Sequence, residues 1–254
     1  MPVANVTQRF SSRVEDYVRY RPGYPGEVVD VLKAECGLTP DCVVADIASG
    51  TGLFARLLLE NGNRVYGIEP NKAMREAGEQ FLAQYPKFVS VSGTAEATTV
   101  PDQSIDLITA AQAAHWFDRA KARREFVRIL KDGGWTALIW NERKTDDSEF
   151  LRDYEQLLLE YGTDYSEVRH ERTTAEIADF FAPSRFNSKT FEMRQRLDYA
   201  GLQGRLLSSS YTPPPGHPSH APMLARLREI FDHHQQDGHV SIPYDTRVFY
   251  GQLG

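Results

Sequence analysis

The chain has 254 residues, a formal net charge of −6, and 41% hydrophobic and 25% charged residues. This composition is ordinary for a globular protein, and the length suits one large α/β domain with an elaboration. The acidic balance argues against a protein that binds nucleic acid through phosphate contacts, although it leaves room for a local basic patch. No apolar run approaches a membrane span, and the N-terminus lacks the apolar core of a signal peptide. Cys36 and Cys42 form no close-spaced redox or zinc motif, so we expect a cytoplasmic protein without a membrane or nucleic-acid partner.

The N-terminal part predicts two helices joined by an aromatic, basic turn. Ser12 and Glu15 have capping-box spacing, which predicts that a helix begins there. Tyr20–Pro25 is rich in turn-forming residues and contains Arg21. It is either a connector whose tyrosines pack on the domain or a lid over the glycine loop that follows. Residues 27–35 predict the second helix.

The stretch from Val43 to Phe54 predicts a strand, a glycine turn and the start of a helix. Its first half is apolar and β-branched up to Asp46, as in a buried parallel strand. Gly50 and Gly52 lack Cβ atoms, so the backbone can turn sharply and a ligand can approach it. The free amides of the helix predicted over 53–60 face the same place. The pattern indicates a small-ligand site at the carboxyl end of a sheet.

A second strand, Arg64–Glu69, ends in a carboxylate. Glu69 follows the glycine turn by about one helix and one strand, where a doubly wound fold places the acid that binds a ribose. The alternative is an ordinary α/β turn with a surface glutamate.

The next part of the chain continues the alternation of helices and strands. Asn71 and Asp118 are positioned to cap helices that end near Tyr85 and Leu130. Strands are predicted over 88–91, 105–110 and 135–140, with turns at 93–96 and 131–134. This alternation implies a mostly parallel sheet with right-handed connections.

The loop from Ala111 to Phe117 has small and aromatic residues where a solvated loop would be polar. We therefore expect it to be buried or to face a cavity. Beyond Asn141 the pattern loosens. The elements predicted there are a helix capped by Ser148, a helix after a second capping box at Thr173 and Glu176, a strand over 186–194, helices over 198–209 and 222–236, and a closing strand over 239–250.

In this order, the motifs resemble those of class I S-adenosylmethionine-dependent methyltransferases, most closely the type 11 methyltransferase group. The motifs that carry the resemblance are Asp46–Gly52, Glu69, Gly93–Glu96, Gln112–Phe117 and Leu130–Gly134. Tyr20–Pro25, the His115-Trp116 pair and Leu130–Gly134 resemble trans-aconitate methyltransferase-like proteins. The resemblance is specific over residues 10–141 and weaker beyond, where Leu206–Tyr211 is also similar. One departure is Ala48-Ser49, where many members have Gly-Cys or Gly-Ser, and this should slightly narrow the freedom of the turn.

The resemblance implies a three-layer, doubly wound Rossmann-like α/β fold. Its seven-stranded, mostly parallel sheet would have the order 3-2-1-4-5-7-6, with the last strand antiparallel. We expect residues 1–40 to form a helical lid or cap and residues 41–141 to form the S-adenosylmethionine-binding core. Residues 142–254 would complete the sheet and carry helical insertions on the substrate side.

The resemblance also implies roles for the residues that would bind S-adenosylmethionine. Glu69 would accept two hydrogen bonds from the ribose diol, and Gly50 and Gly52 would let the methionine part approach the backbone. Asp46 would favour the cationic cofactor or orient the loop. The other expected cofactor-binding residues are Ala48, Ser49, Pro70, Met74, Thr94, Ala95, Glu96, Gln112, Ala113 and Tyr20.

The expected acceptor is a small molecule, with a carboxylate as the favoured class. Arg21 could bind such a carboxylate in two parallel hydrogen bonds, but it could also pair with an acid of its own domain or with the cofactor's carboxylate. The acceptor would be held between the lid, the His115-Trp116 loop and the segment from Asp198 to Tyr211. His115 is either a general base for a hydroxyl or amine acceptor or a structural histidine in a buried loop.

Two other function classes share some of these features. A nicotinamide-dependent oxidoreductase would use the same glycine turn and Glu69, with Ala55 as a third small residue, but the Ala111–Phe117 loop does not suit it. A non-catalytic protein could retain the cofactor fold. No metal site is expected, because the histidines of the C-terminal third lack acidic or cysteine partners at regular spacing.

Overall fold

A computed structural model of the chain describes residues 14–165 and 174–253. Seven strands form one sheet in the order β3-β2-β1-β4-β5-β7-β6. The strands are β1 (Val43–Ile47), β2 (Arg64–Ile68), β3 (Phe88–Val91), β4 (Ile105–Ala111), β5 (Leu130–Arg143), β6 (Phe186–Leu197) and β7 (Val240–Gly251). The first five are parallel, and β7 runs antiparallel to both β5 and β6. The expected strand order and the antiparallel last strand are therefore confirmed.

Helices precede, connect and cover these strands. They are α1 (Val14–Tyr20), α2 (Glu27–Cys36), α3 (Leu53–Glu60), α4 (Lys72–Phe81), α5 (Arg119–Ile129), α6 (Glu149–Tyr161), α7 (Thr174–Phe181), α8 (Tyr199–Leu207) and α9 (His220–His234). The predicted caps form: the side chains of Asn71, Asp118 and Ser148 accept hydrogen bonds from first-turn amides of α4, α5 and α6. These bonds satisfy donors that a helix start leaves open.

The two faces of the sheet bury different helices, which makes the three-layer architecture. Alternate side chains of β1 point to opposite faces. Val44 packs in a cluster with residues of α2 and α3, whereas Ala45 and Ile47 pack in a cluster with α5 and α7. The apolar run of β1 is explained by this burial on both faces.

A third apolar cluster lies beyond the carboxyl end of the parallel strands. It joins α6, α8 and α9 to the ends of β6 and β7 through residues such as Tyr154, Leu206, Leu227 and Tyr244. This cluster stands over the edge of the sheet where the glycine turn lies. None of the helices within the described ranges is long and apolar enough to cross a membrane.

The structure differs from the sequence predictions mainly at element boundaries. The segment 131–134, predicted as a tight turn before β5, lies inside β5, where the register with β4 shifts between Ile105 and Leu107. Helix α4 ends at Phe81 and not near Tyr85, because Leu82 and Tyr85 continue in turns. The capping boxes at Ser12 and Thr173 lie outside the described residues.

Candidate functional site

A cavity of about 570 Å³ opens at the carboxyl ends of the central strands. Residues after β1, at the end of β4 and at the end of β5 form its floor, together with the adjoining start of β7. The segment after α1 and the segment after α8 form its walls. The volume is within the range of small-molecule sites, about 300–1,000 Å³.

The glycine turn after β1 has three residues in the left-handed region. Ala48, Gly50 and Gly52 have φ angles of 53°, 58° and 79°. Gly50 lines the cavity, as expected. At Gly52, a Cβ would lie 2.5 Å from Leu82 Cδ1. Gly52 thus allows α3 to start against Leu82, and it does not line the cavity.

Asp46 is almost fully buried at the floor of the cavity. Its Oδ1 accepts a hydrogen bond of 2.8 Å from Thr109 Oγ1, while its Oδ2 has no partner within the described residues. Burial, offset in part by the Thr109 bond, raises the pKa of Asp46 to about 7. A cation next to Oδ2 would favour the ionised form of Asp46.

Glu69 lies one strand away and holds the glycine turn to β2. One carboxylate oxygen accepts the Gly50 amide at 2.9 Å, and the other accepts the Asn71 amide at 2.8 Å. Burial raises the pKa of Glu69, and these two bonds act against that rise. Since each carboxylate oxygen has two lone pairs, both oxygens retain acceptor capacity.

The segment between α1 and α2 covers one side of the cavity. Its backbone is attached by Asn141 Nδ2, which donates to the Gly23 carbonyl at 2.8 Å, and by Gln195 Nε2, which donates to the Tyr20 carbonyl at 2.8 Å. Arg21 and Tyr24 line the cavity. Tyr20 does not: its ring packs on Gly204, where a Cβ would lie 2.1 Å from Tyr20 Cδ2. Tyr17 lines the cavity instead, with the Arg21 guanidinium 4.9 Å from its ring centroid.

The loop after β4 brings three of the expected site residues to the cavity. Gln112 adopts a φ of 57° and donates a 2.8 Å hydrogen bond to the Asn141 carbonyl. His115 and Trp116 follow in a short 3₁₀ turn, with ring centroids 4.3 Å apart. All three line the cavity, and Trp116 is exposed. The prediction that this loop faces a cavity fits this placement.

The structure brings together some of the expected cofactor-binding residues at the cavity and leaves others outside its wall. Asp46, Ala48, Ser49, Gly50 and Gln112 line it. The expected residues that lie outside its wall are Gly52, Glu69, Pro70, Met74, Thr94, Ala95, Glu96, Ala113 and Tyr20. The carboxylate of Glu96 accepts the Asp118 amide at 2.9 Å and so fixes the start of α5.

The C-terminal part contributes charged and phenolic side chains: the segment from Asp198 to Tyr211, expected at the acceptor, supplies Arg205 and Tyr211, whereas sequence reasoning missed Tyr244. Arg205, Tyr211 and Tyr244 line the cavity. Arg205 is buried, with Nε 3.2 Å from Tyr244 Oη and Nη1 3.0 Å from Ser209 Oγ. The sequence signal for this segment is the similarity over Leu206–Tyr211, which Arg205 directly precedes, whereas no local pattern points to Tyr244.

The central part of the chain is similar to known methyltransferases. Residues 45–138 match the family described as "Methyltransferase domain". An uncharacterised methyltransferase of Mycobacterium tuberculosis is 37% identical over 134 residues, which are 53% of this chain and 52% of that protein. The matched segment thus spans about half the length of this curated relative.

Solved structures extend the likeness to nearly the whole fold. A candidate type II methyltransferase from Anaeromyxobacter dehalogenans has a TM-score of 0.67 at 22% identity, covering 92% of this chain and 98% of that one. Phosphoethanolamine N-methyltransferase 2 from Haemonchus contortus, solved with S-adenosylhomocysteine, has a TM-score of 0.56 at 14% identity, covering 98% of this chain and 58% of that one. At these identities the likeness concerns the fold. The match over residues 45–138 and the curated relative show that the central part of this chain is similar to methyltransferase domains, and the sheet order is that of the methyltransferase fold of its solved neighbours.

Proposed function

We propose that the protein is an S-adenosylmethionine-dependent methyltransferase that acts on a small-molecule acceptor. The observation that carries the proposal is the pair of buried carboxylates around the glycine turn. Asp46 lines the cavity and has a buried Oδ2 without a hydrogen-bond partner among the described residues, and Glu69 accepts the Gly50 amide. The Haemonchus contortus neighbour of the same fold binds S-adenosylhomocysteine, which is in keeping with this proposal.

The residues present fit the cofactor. Asp46 is desolvated, and its Oδ2 has no partner within the described residues, so it suits a neighbouring positive charge, while Gly50 and Ala48 line the cavity. Glu69 retains lone pairs for the ribose hydroxyls. Pro70, Met74, Thr94, Ala95 and Glu96 stay the proposed contacts for the adenine side, and Ala113 and Gln112 the proposed contacts near the sulfonium. We propose that Tyr17, and not Tyr20, is the cofactor-binding tyrosine of this segment.

Alignment is the main task of this chain in the proposed reaction. When bound, the cofactor supplies an activated methyl group for in-line displacement. The walls formed by Tyr17, Tyr24, His115 and Trp116 restrict the acceptor's approach and exclude water. An ionised acceptor needs no base. A hydroxyl or amine acceptor would need one, and His115 is the proposed candidate because it lies on the cavity.

A carboxylate is the proposed first class of acceptor. Arg21 lines the cavity, and none of the ion pairs among the described residues includes it. Of its three possible roles, pairing with an acid of its own domain is thus not seen in the described part of the chain. Binding to the acceptor and binding to the cofactor's carboxylate are both compatible with its place.

The proposal is tested by Glu69→Ala and by calorimetry with S-adenosylhomocysteine. Losing a carboxylate that binds a diol should cost roughly 1.5–3 kcal/mol, or at least tenfold in affinity. Glu76→Ala is the matched control, because Glu76 forms an exposed ion pair with Lys72. Glu69 also holds Gly50, so thermal unfolding of both variants should be compared. Equal affinities in a folded Glu69→Ala variant and the native protein would remove Glu69 from the site.

A further inference from the structure

Four arginines line the cavity, and only two of them are neutralised within the described part of the chain. They are Arg21, Arg143, Arg205 and Arg247. Arg143 forms an ion pair with Glu155, and Arg247 Nη1 lies 3.3 Å from Glu142 Oε1. The guanidinium groups of Arg21 and Arg205 instead donate to neutral oxygens, including the Ser208 carbonyl at 2.9 Å and Tyr244 Oη at 3.2 Å. Two cationic groups on the cavity thus have no counter-charge among residues 14–165 and 174–253.

The part of the cavity around Arg21 and Arg205, called the positive corner below, therefore has a positive electrostatic potential. Burial, followed by the charge of Arg205, lowers the pKa of Arg21, so the two guanidinium groups repel each other. Burial alone would raise the pKa of Tyr211, but Arg205 and Arg21 together hold it below its ordinary value. Burial is costly for a charged group without a counter-charge, although the phenols of Tyr244, Tyr211 and Tyr154 raise the pKa of Arg205 and offset part of that cost. An anion in the cavity would remove this cost.

The corner is separated from the place proposed for the cofactor's sulfonium. Arg205 contacts Tyr244 on β7, and β7 is the third strand from β1 in the sheet. At about 4.8 Å between neighbouring strands, β7 is roughly 14 Å from the strand that carries Asp46. Arg205 therefore lies towards the β7 side of the cavity, and Arg21 is close enough for the two charges to interact.

We propose that Arg21 and Arg205 form an anion subsite for the acceptor. They bind a carboxylate or phosphate group of the acceptor that is not itself methylated, while the methyl-accepting atom lies nearer the glycine turn. Two guanidinium groups suit these oxyanions because their N–H donors match the anion's oxygens in pairs. An oxyanion whose lone pairs are engaged in this way is a weaker nucleophile, which suits an anchoring group. This inference rests on the proposed function.

The test uses succinate, inorganic phosphate and neutral succinamide as probes in calorimetry, with and without saturating S-adenosylhomocysteine. Succinate or phosphate should bind, and succinamide should not. Arg21→Gln and Arg205→Gln should each weaken anion binding at least tenfold. Arg247→Gln is the matched control and should change it less than threefold, because Arg247 already pairs with Glu142. Binding of phosphate alone would support the subsite and select phosphate-bearing acceptors.

Three results would overturn the inference: succinamide binding as tightly as succinate, anion binding unchanged in the arginine variants, or no anion binding at all. A fourth comparison tests whether the arginines bind the cofactor's own carboxylate and not the acceptor. If Arg21→Gln and Arg205→Gln weaken S-adenosylhomocysteine but not 5′-methylthioadenosine, which lacks the amino acid, the arginines serve the cofactor and the inference is wrong.

The test remains informative if one of the variants does not fold. Should Arg205→Gln fail to fold, Arg205→Lys keeps the charge but loses the paired donors, and Arg21→Gln tests the other arginine independently. Unchanged anion binding in a folded Arg21→Gln would be decisive against the pair. Arginine-dependent anion binding in a protein that does not bind S-adenosylhomocysteine would instead contradict the proposed function and leave the subsite standing.

Discussion

Asp46 gives the site a pH dependence at the scale of a single residue. Its folded pKa of about 7 lies above the ordinary value of 3.8, so the folded state binds the proton more tightly than the unfolded state. This contribution to stability is therefore present below about pH 4 and is lost as the pH rises towards 7. We expect the ratio of S-adenosylmethionine to S-adenosylhomocysteine affinity to rise from pH 6 to pH 8, because only the former carries a sulfonium charge. Asp46→Asn should remove that part of the rise, and identical ratios in both proteins would contradict the assignment.

Ala48 is a second residue whose effect can be measured in isolation. Its φ of 53° is unfavourable for a residue with a Cβ. Ala48→Gly should stabilise the fold by about 0.5–1 kcal/mol, since the relief of strain exceeds glycine's greater entropy in the unfolded chain. Urea unfolding measures the change. Ala77→Gly within α4 is the control and should destabilise by about 1 kcal/mol. Destabilisation by both variants to the same extent would show that Ala48 is not strained.

At the scale of elements, the segment from Arg21 to Pro25 is attached by few bonds and so offers a test of its role as a lid. Asn141 joins its Gly23 carbonyl to β7 through Thr246, whose hydroxyl donates to Asn141 Oδ1 at 2.7 Å. Asn141→Ala should accelerate amide exchange in this segment about fivefold, the effect of losing a hydrogen bond worth roughly 1 kcal/mol. Asn61→Ala, whose side chain contacts Asn63, is the control. S-adenosylhomocysteine should slow exchange in the native protein, whereas unchanged exchange would identify a connector.

The elements that the sequence predicted well are those whose physical signal is local. The apolar run of β1 and the caps Asn71, Asp118 and Ser148 depend on neighbouring residues, and the structure places them as expected. The bulge within β5 and the position of Tyr20 depend on distant parts of the chain. Tyr20 lies against Gly204, a contact across more than 180 residues that no local pattern contains. The strand order came from the resemblance and not from periodicity.

At the scale of the whole molecule, the same reasoning explains why the segment from Asp198 to Tyr211 could be expected at the acceptor but the pairing of Arg205 with Arg21 could not. The glycine turn is built from one continuous stretch, so its role could be inferred from residues 46–52. The positive corner is assembled from the segment after α1, helix α8 and strand β7. A lone buried arginine in α8 has no distinguishing pattern in sequence. Its significance follows only from the absence of a carboxylate beside it in the described structure.

Ligand binding at the glycine turn should stabilise the molecule as a whole, because a ligand that binds only the folded state shifts the unfolding equilibrium, and that turn connects α3 and α4 to the sheet. Gly52 contacts the residue that follows α4, and Glu69 ties Gly50 to the start of α4. At a hundred times its dissociation constant, S-adenosylhomocysteine should add about 2.7 kcal/mol to the unfolding free energy. For a chain of this size that corresponds to a rise in Tm of roughly 5–10 °C.

NAD at the same concentration should produce no rise, since the Ala111–Phe117 loop does not suit a dinucleotide. A rise with NAD alone would favour the oxidoreductase alternative. A rise with S-adenosylhomocysteine but no methyl transfer to any acid, alcohol or amine would favour a non-catalytic protein that retains the cofactor fold.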